Sequence, residues 1–210
     1  MKDIPMFTTE YGIASLSLQQ VPYRAEAYVT VRQATDLMGL ITECRSFCRM
    51  CGAERVFVTG HPELEALPLY THVFRMTGRT HPGQTACLWP VTEENAGAWR
   101  QIYNEKMRNV DNAMALTAAD ERNLYQQSGA YFVHDGERLL GIGWLREQEL
   151  LALAAVIPGM GETVARTLLQ LAEEELVTLE VASTNARAVR LYEKLGFIKT
   201  EILRSWYCVD

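Results

Sequence analysis

The side chains best suited by type to do chemistry are five thiols, three of them crowded into CRSFCRMC. Cys44, Cys48 and Cys51 have the C-x₃-C-x₂-C spacing at which three thiolates can hold three irons of an iron–sulfur cluster. Cys87 and Cys208 have no sequence-local histidine to turn either into a nucleophile. Acid–base candidates gather further on, where His134, Glu147 and Glu149 flank the region around Trp144. Their spacing selects none of them as a base.

The elements that carry these residues discriminate between the readings. Leu37, Ile41, Cys44, Cys48 and Cys51 fall at steps of four, three, four and three, so the cysteines continue the apolar stripe of a helix. Asp36 can cap its start, and Gly52 sits where helices commonly stop. A cluster site of this spacing needs a loop, whereas cysteine in a buried stripe behaves as a small hydrophobe. The expectation is a structural helix and no metal site, with an iron–sulfur protein as a remote alternative.

With 210 residues, 48% hydrophobic and 22% charged, the chain is long enough to bury a substantial core. Its 26 acidic and 20 basic residues give a net charge of −6. That balance disfavours nucleic acid or an anionic membrane as partner, because both reward clustered Lys and Arg. It is compatible with a cationic substrate. MKDIPMFTTE shows no basic stretch followed by an apolar one. The longest apolar run, LLALAAVIP, is about half of the roughly 20 residues a membrane helix needs. An odd number of cysteines does not read as a disulfide framework. A cytoplasmic protein is expected, and the oligomeric state stays open.

Along the chain, residues 11–31 show period-two patterning on both sides of QQVPYR and predict a hairpin. RVFVTG predicts a strand, HPELEALPLYTHV a weaker helix interrupted by Pro68, and FRMTGR another strand. Pro82 and Gly83 in GRTHPGQT mark a boundary, dividing the chain into residues 1–80 and 85–210. Beyond it TACLWPV predicts a strand and TEENAGAWRQIYNEKMRNV a helix. TAADERNLYQQSG predicts a helix opened by a Thr117–Asp120 capping box. AYFVHDGERLLGIGWLRE reads as a hairpin around Asp135-Gly136, and ELLALAAVIP as a buried strand. GMGETVARTLLQLAEEEL, VTLEVAS, STNARAVRLYEKLG and FIKTEILRSWYCV then predict helix, strand, helix and strand.

The stretch NARAVRLYEKLGF resembles the last helix of the GNAT superfamily of acyl-CoA-dependent N-acyltransferases, with pattern N-x-x-A-x-x-L-Y-x-x-x-G-F. Asn185, Ala188, Leu191, Tyr192, Gly196 and Phe197 fill its positions, and the element order from Thr85 to Asp210 matches. The resemblance implies an α/β (α+β) fold, a mixed and mostly antiparallel sheet flanked by helices. It implies N-acetyl transfer from acetyl-CoA, a cosubstrate, to a primary amine by direct attack. Tyr192 would protonate the departing thiolate, since a free thiol has a pKa of about 8.5. Asn185, with Ala188 beside it, would hold the pantetheine arm. That arm would pair with the backbone of the strand ending at Val156, and a backbone N–H of the strand would meet the oxyanion. The acceptor is a small-molecule amine or a protein or peptide amine. A lapsed acyl-CoA-binding or interaction module is the alternative.

The family's pyrophosphate loop normally reads V-x-P-x-x-(R/Q)-x-x-G-x-(G/A), and VIPGMGETVARTLL departs from it. With one loop residue deleted, Met160 takes the Arg/Gln place and Thr163 the glycine place. The resemblance then implies that Met160, Gly161, Glu162, Thr163, Val164 and Ala165 hold the phosphates through backbone N–H groups at a helix start. Glu162 places a negative charge beside them. Residues 1–80 carry a faint echo of the tail, VFVTGHPELEALPLYTHVFRMT against LEVASTNARAVRLYEKLGFIKT, with Leu69-Tyr70 under Leu191-Tyr192. They are expected to form a degenerate half-GNAT-like unit without a cofactor.

Overall fold

The computed structural model of the protein describes residues 3–79, 86–111, 113–126 and 129–209. It forms two compact units, Met1–Val73 with Leu203–Asp210, and Phe74–Ile202. The expected boundary at Pro82 and Gly83 lies outside the described residues.

In the first unit β1 (Ile4–Thr9), β2 (Gly12–Ser17), α1 (Val21–Arg24), β3 (Glu26–Ala34), α2 (Leu37–Met50) and β4 (Arg55–Thr59) follow one another. A 3₁₀ turn at Pro62–Ala66 leads into β5 (Leu69–Arg79), and the end of β11 (Ile198–Cys208) joins the unit. β1, β2 and β3 pair antiparallel, β3 and β4 parallel, and β11 pairs antiparallel with β4, matching Tyr207 to Val58. Helix α2 starts where its cap predicts, the Asp36 carboxylate accepting from the Gly39 N–H at 3.0 Å. It buries Leu37, Leu40, Ile41, Cys44 and Cys48 in one core with β2, β3 and β4. Burial pushes the Cys44 thiol up to about 11 and the Cys48 thiol up to about 12, so neither is a thiolate near neutrality. These cysteines are core residues of a helix.

The helix expected from His61 to Val73 does not form. Pro62 opens a single 3₁₀ turn, and Pro68 can donate no hydrogen bond to extend it. The β-branched and aromatic run LYTHVF then enters β5 directly. Tyr70 therefore lies on a strand, stacked on Phe57 at 4.3 Å, and does not correspond to Tyr192 on its helix. The order of strands, helix, strand, turn and strand otherwise follows the expectation, with β1 added in front. On the face away from α2, Glu26 is 3% exposed. It accepts from Arg24, from Arg55 at 3.2 Å and from the Tyr28 hydroxyl at 2.9 Å.

The second unit holds β6 (Cys87–Pro90), α3 (Ala96–Met107), a 3₁₀ turn (Ala118–Asp120) running into α4 (Glu121–Gln126), β7 (Ala130–His134) and β8 (Leu139–Arg146). Then come β9 (Glu149–Ala155), α5 (Gly161–Leu169), β10 (Leu176–Ala182), α6 (Ala186–Lys194) and the start of β11. Its strand order is β6-β7-β8-β9-β10-β5-β11. β6 through β9 pair antiparallel and β9 with β10 parallel. The Thr117–Asp120 capping box and the Asp135-Gly136 turn form as predicted. Trp99, Leu124 and Ile142 centre the core under α3 and α4, and Val164, Leu168, Leu179 and Val189 the core under α5 and α6.

Two glycines of β8 let α5 approach the sheet. A Cβ at Gly143 would lie 1.9 Å from Leu168 Cδ1, and one at Gly141 2.6 Å from Val164 Cγ2. α5 ends at Leu169, earlier than the sequence predicts. The acidic run Glu173-Glu174-Glu175 would oppose the dipole at a longer helix's C-terminus. No helix among the described residues is long and apolar enough to cross a membrane.

Candidate active site

Helix α6 fixes its own two ends and Tyr192 with them. The Asn185 Oδ1 accepts from the Ala188 N–H at 3.2 Å, capping the start. At the other end Gly196 takes the left-handed conformation, φ 87°. Its N–H donates to the Glu193 carbonyl at 3.0 Å, and the Phe197 N–H to the Tyr192 carbonyl at 2.9 Å. This is a Schellman closure, which explains the Y-x-x-x-G-F spacing: the glycine must be C′ and the apolar residue after it packs back on C3. The Phe197 and Tyr192 rings do so, with centroids 5.9 Å apart. Tyr192 is 8% exposed, and its hydroxyl has no hydrogen-bond partner among the described residues. Burial pushes its pKa up to about 12, so it keeps its proton at neutral pH.

Strands β9 and β10 are paired at their starts, Glu149 with Thr178 and Leu150 with Leu179. Beyond that point Ala152–Ala155 on one side and Val181–Ala182 on the other line a cleft of about 690 Å³. A bulge marks the divergence. Trp144 faces Ala152 and Leu145 faces Leu150, leaving Leu151 extra in β9 and outside the ladder. The cleft is also lined by Gly159, Gly161, Glu162, Asn185, Ala188 and Tyr192. Glu149, Tyr103 and Lys106 border it too, and from α6 come Arg187 and Lys194.

At the loop before α5, the Val156 N–H donates to the Leu140 carbonyl at 2.8 Å and the Met160 N–H to the Ile157 carbonyl at 3.2 Å. Val164 and Ala165 are buried in the core beneath α5, and Met160 packs against that core. The Val164 N–H is spent on the Met160 carbonyl at 2.9 Å. Thr163 is half-buried in the first turn of α5. The N–H groups of Gly161 and Glu162, at the helix start, have no intrahelical acceptor. Gly159, φ 88°, has open space where a Cβ would stand, and a Cβ at Gly161 would reach Leu191 at 3.3 Å. The Glu162 carboxylate is paired with Lys194 at 2.5 Å and Arg166 at 3.1 Å. These partners, Lys194 first, hold it below the usual carboxylate range.

Of the residues singled out from sequence, Gly161, Glu162, Asn185, Ala188 and Tyr192 come together at this cleft. Lys194 and Arg187 join them from the same NARAVRLYEKLGF stretch, and their only mark in the sequence is their position on α6, two residues past Tyr192 and two past Asn185.

Residues 98–205 match the family model of the acetyltransferase (GNAT) domain. The chain belongs to the GNAT family. The GNAT acetyltransferase from Colwellia psychrerythraea is similar at a TM-score of 0.57 and 10% identity, over 98% of this chain and 84% of that one. A putative acetyltransferase from Pyrococcus horikoshii follows at 0.55 and 13%, over 95% and 70%. A GCN5-related N-acetyltransferase from Sphaerobacter thermophilus gives 0.52 and 12%, over 93% and 75%. These likenesses show the GNAT fold. None of the curated proteins matches the chain significantly in sequence. The matched GNAT segment contains β9, α5, β10 and α6, four of the elements that line the cleft.

Proposed function

We propose that this GNAT protein transfers an acyl group, acetyl first of all, from acyl-coenzyme A to a primary amine by direct attack, as a cytoplasmic enzyme. The observation that carries the reading is Tyr192: a buried, protonated phenol in the wall of a cleft between two diverging parallel strands. The residues present fit the cofactor. N–H groups at Gly161 and Glu162 without an intrahelical acceptor suit its pyrophosphate, and Gly159 leaves open space beside them. Asn185 spends its oxygen on the helix cap, which leaves its amide N–H₂ to donate to the pantetheine. The thioester supplies an activated acyl carbon and a thiol leaving group. The bulge at Leu151 interrupts the β8–β9 register, and a backbone N–H of β9 there would donate to the oxygen that gains charge. Tyr192 donates its proton to the departing sulfur. Glu149, which lines the cleft where β9 and β10 pair, would accept the proton of the amine, a small molecule or a peptide or protein terminus.

Titration with acetyl-coenzyme A, followed by calorimetry and thermal shift, tests the cofactor half of this reading. Saturable one-to-one binding that raises the melting temperature is expected, and weaker binding for Asn185→Ala. Absence of binding at millimolar cofactor would contradict it and favour an interaction module.

A further inference from the structure

The wall of the cleft contains an anion already. Glu162 stands in the first turn of α5, where its own N–H and that of Gly161 point from a helix start. Its carboxylate reaches across to α6, taking Lys194 at 2.5 Å, and back along α5 to Arg166 at 3.1 Å. Both Glu162 and Lys194 line the cleft. Met160, the loop residue next to them, brings no charge and is turned into the core. Lys194, a cation that lines the cleft, is therefore committed to a carboxylate of the protein's own.

We infer that Glu162 is an internal occupant of the phosphate subsite, holding Lys194 until a phosphate ester takes its place. This rests on the acyl-CoA reading above and deepens it. A pyrophosphate at Gly161 and Glu162 brings its charge within reach of Lys194, and the two anions cannot both keep that ammonium in a direct pair. Glu162 is one-third exposed, so it can swing to water and keep Arg166. Lys194 is two-thirds exposed and passes from carboxylate to phosphate. Affinity for the cofactor is thus set below what the site's cations allow. A plain repulsion between Glu162 and phosphate would make a different prediction, because it would not depend on Lys194.

The test is a double-mutant cycle read by calorimetry at low ionic strength, with coenzyme A, adenosine 3′,5′-bisphosphate and unphosphorylated pantetheine as probes. Glu162→Gln is expected to bind coenzyme A about 10-fold more tightly, with pantetheine unchanged. Lys194→Met is expected to bind coenzyme A more weakly, and in that background Glu162→Gln should give no gain. The gain should shrink as salt is raised, since the pair is partly exposed. Equal affinity of Glu162→Gln and the unaltered protein for coenzyme A would overturn the inference while leaving acyl-CoA binding intact. So would a gain that persists fully in Lys194→Met. Failure of every variant, the unaltered protein included, to bind coenzyme A would overturn the acyl-CoA reading and this inference with it.

Discussion

Tyr192→Phe is expected to lower acyl transfer by about 100-fold while leaving acetyl-coenzyme A affinity within about twofold. The change removes one hydroxyl that has no hydrogen-bond partner among the described residues, so no buried group is orphaned and the fold should be as stable as before. The Schellman closure holds the ring through backbone bonds and through Phe197, neither of which the substitution touches. A loss confined to turnover would therefore report the proton and not a displaced helix. The phenol also leaves a mark on stability. Its folded pKa is raised from 10.0 to about 12, so its contribution is present in full below pH 10 and is lost as pH rises toward 12. Alkaline unfolding over that window should be shallower in the variant. It should not vanish, because burial, and Glu26 beside it, raise Tyr28 further still. Full turnover in Tyr192→Phe would remove the acid role.

Glu26→Ala is expected to destabilise the protein by about 3 kcal/mol, read as a lower urea midpoint at unchanged slope. Glu26 is 3% exposed and is shared by the guanidinium groups of Arg24 and Arg55 and by the Tyr28 hydroxyl. Arg24 is itself 11% exposed, so removing the carboxylate takes a close ion-pair partner from a charge held largely out of water. Arg55 retains the faces of Phe57 and Tyr70, each 4.8 Å from its guanidinium carbon. Glu26→Gln keeps the acceptor oxygen and should cost less. The cleft is built in the other unit, so cofactor affinity of the folded variant should be unaltered. A cost below about 1 kcal/mol would place this network among ordinary surface pairs.

What the sequence disclosed follows from how local the signals are. Asp36, the four-three stripe through Cys48, the Thr117–Asp120 box and the Asn185 to Gly196 helix each act within a few residues, and all form as read. The GNAT fold could be recognised because Tyr192, Gly196 and Phe197 are tied together by one helix-end geometry. The helix at 61–73 misled, since apolar residues at helical spacing said less than two prolines and a β-branched run. The division of β5 and β11 between the units depends on pairing between residues more than a hundred positions apart. The partner of Glu162 is 32 positions away. The bulge at Leu151 has no marker such as glycine or proline, so nothing in ELLALAA announces it.

Whether the protein catalyses acyl transfer is decided by amine-dependent release of coenzyme A. The purified protein would be mixed with acetyl-coenzyme A and a panel of small amines, amino acids and peptide N-termini, with acetylated product identified by mass. Saturable, amine-dependent turnover with at least one acceptor is expected, and its near loss in Tyr192→Phe. Saturable cofactor binding with no product from any amine would contradict it and leave a binding module on a GNAT fold.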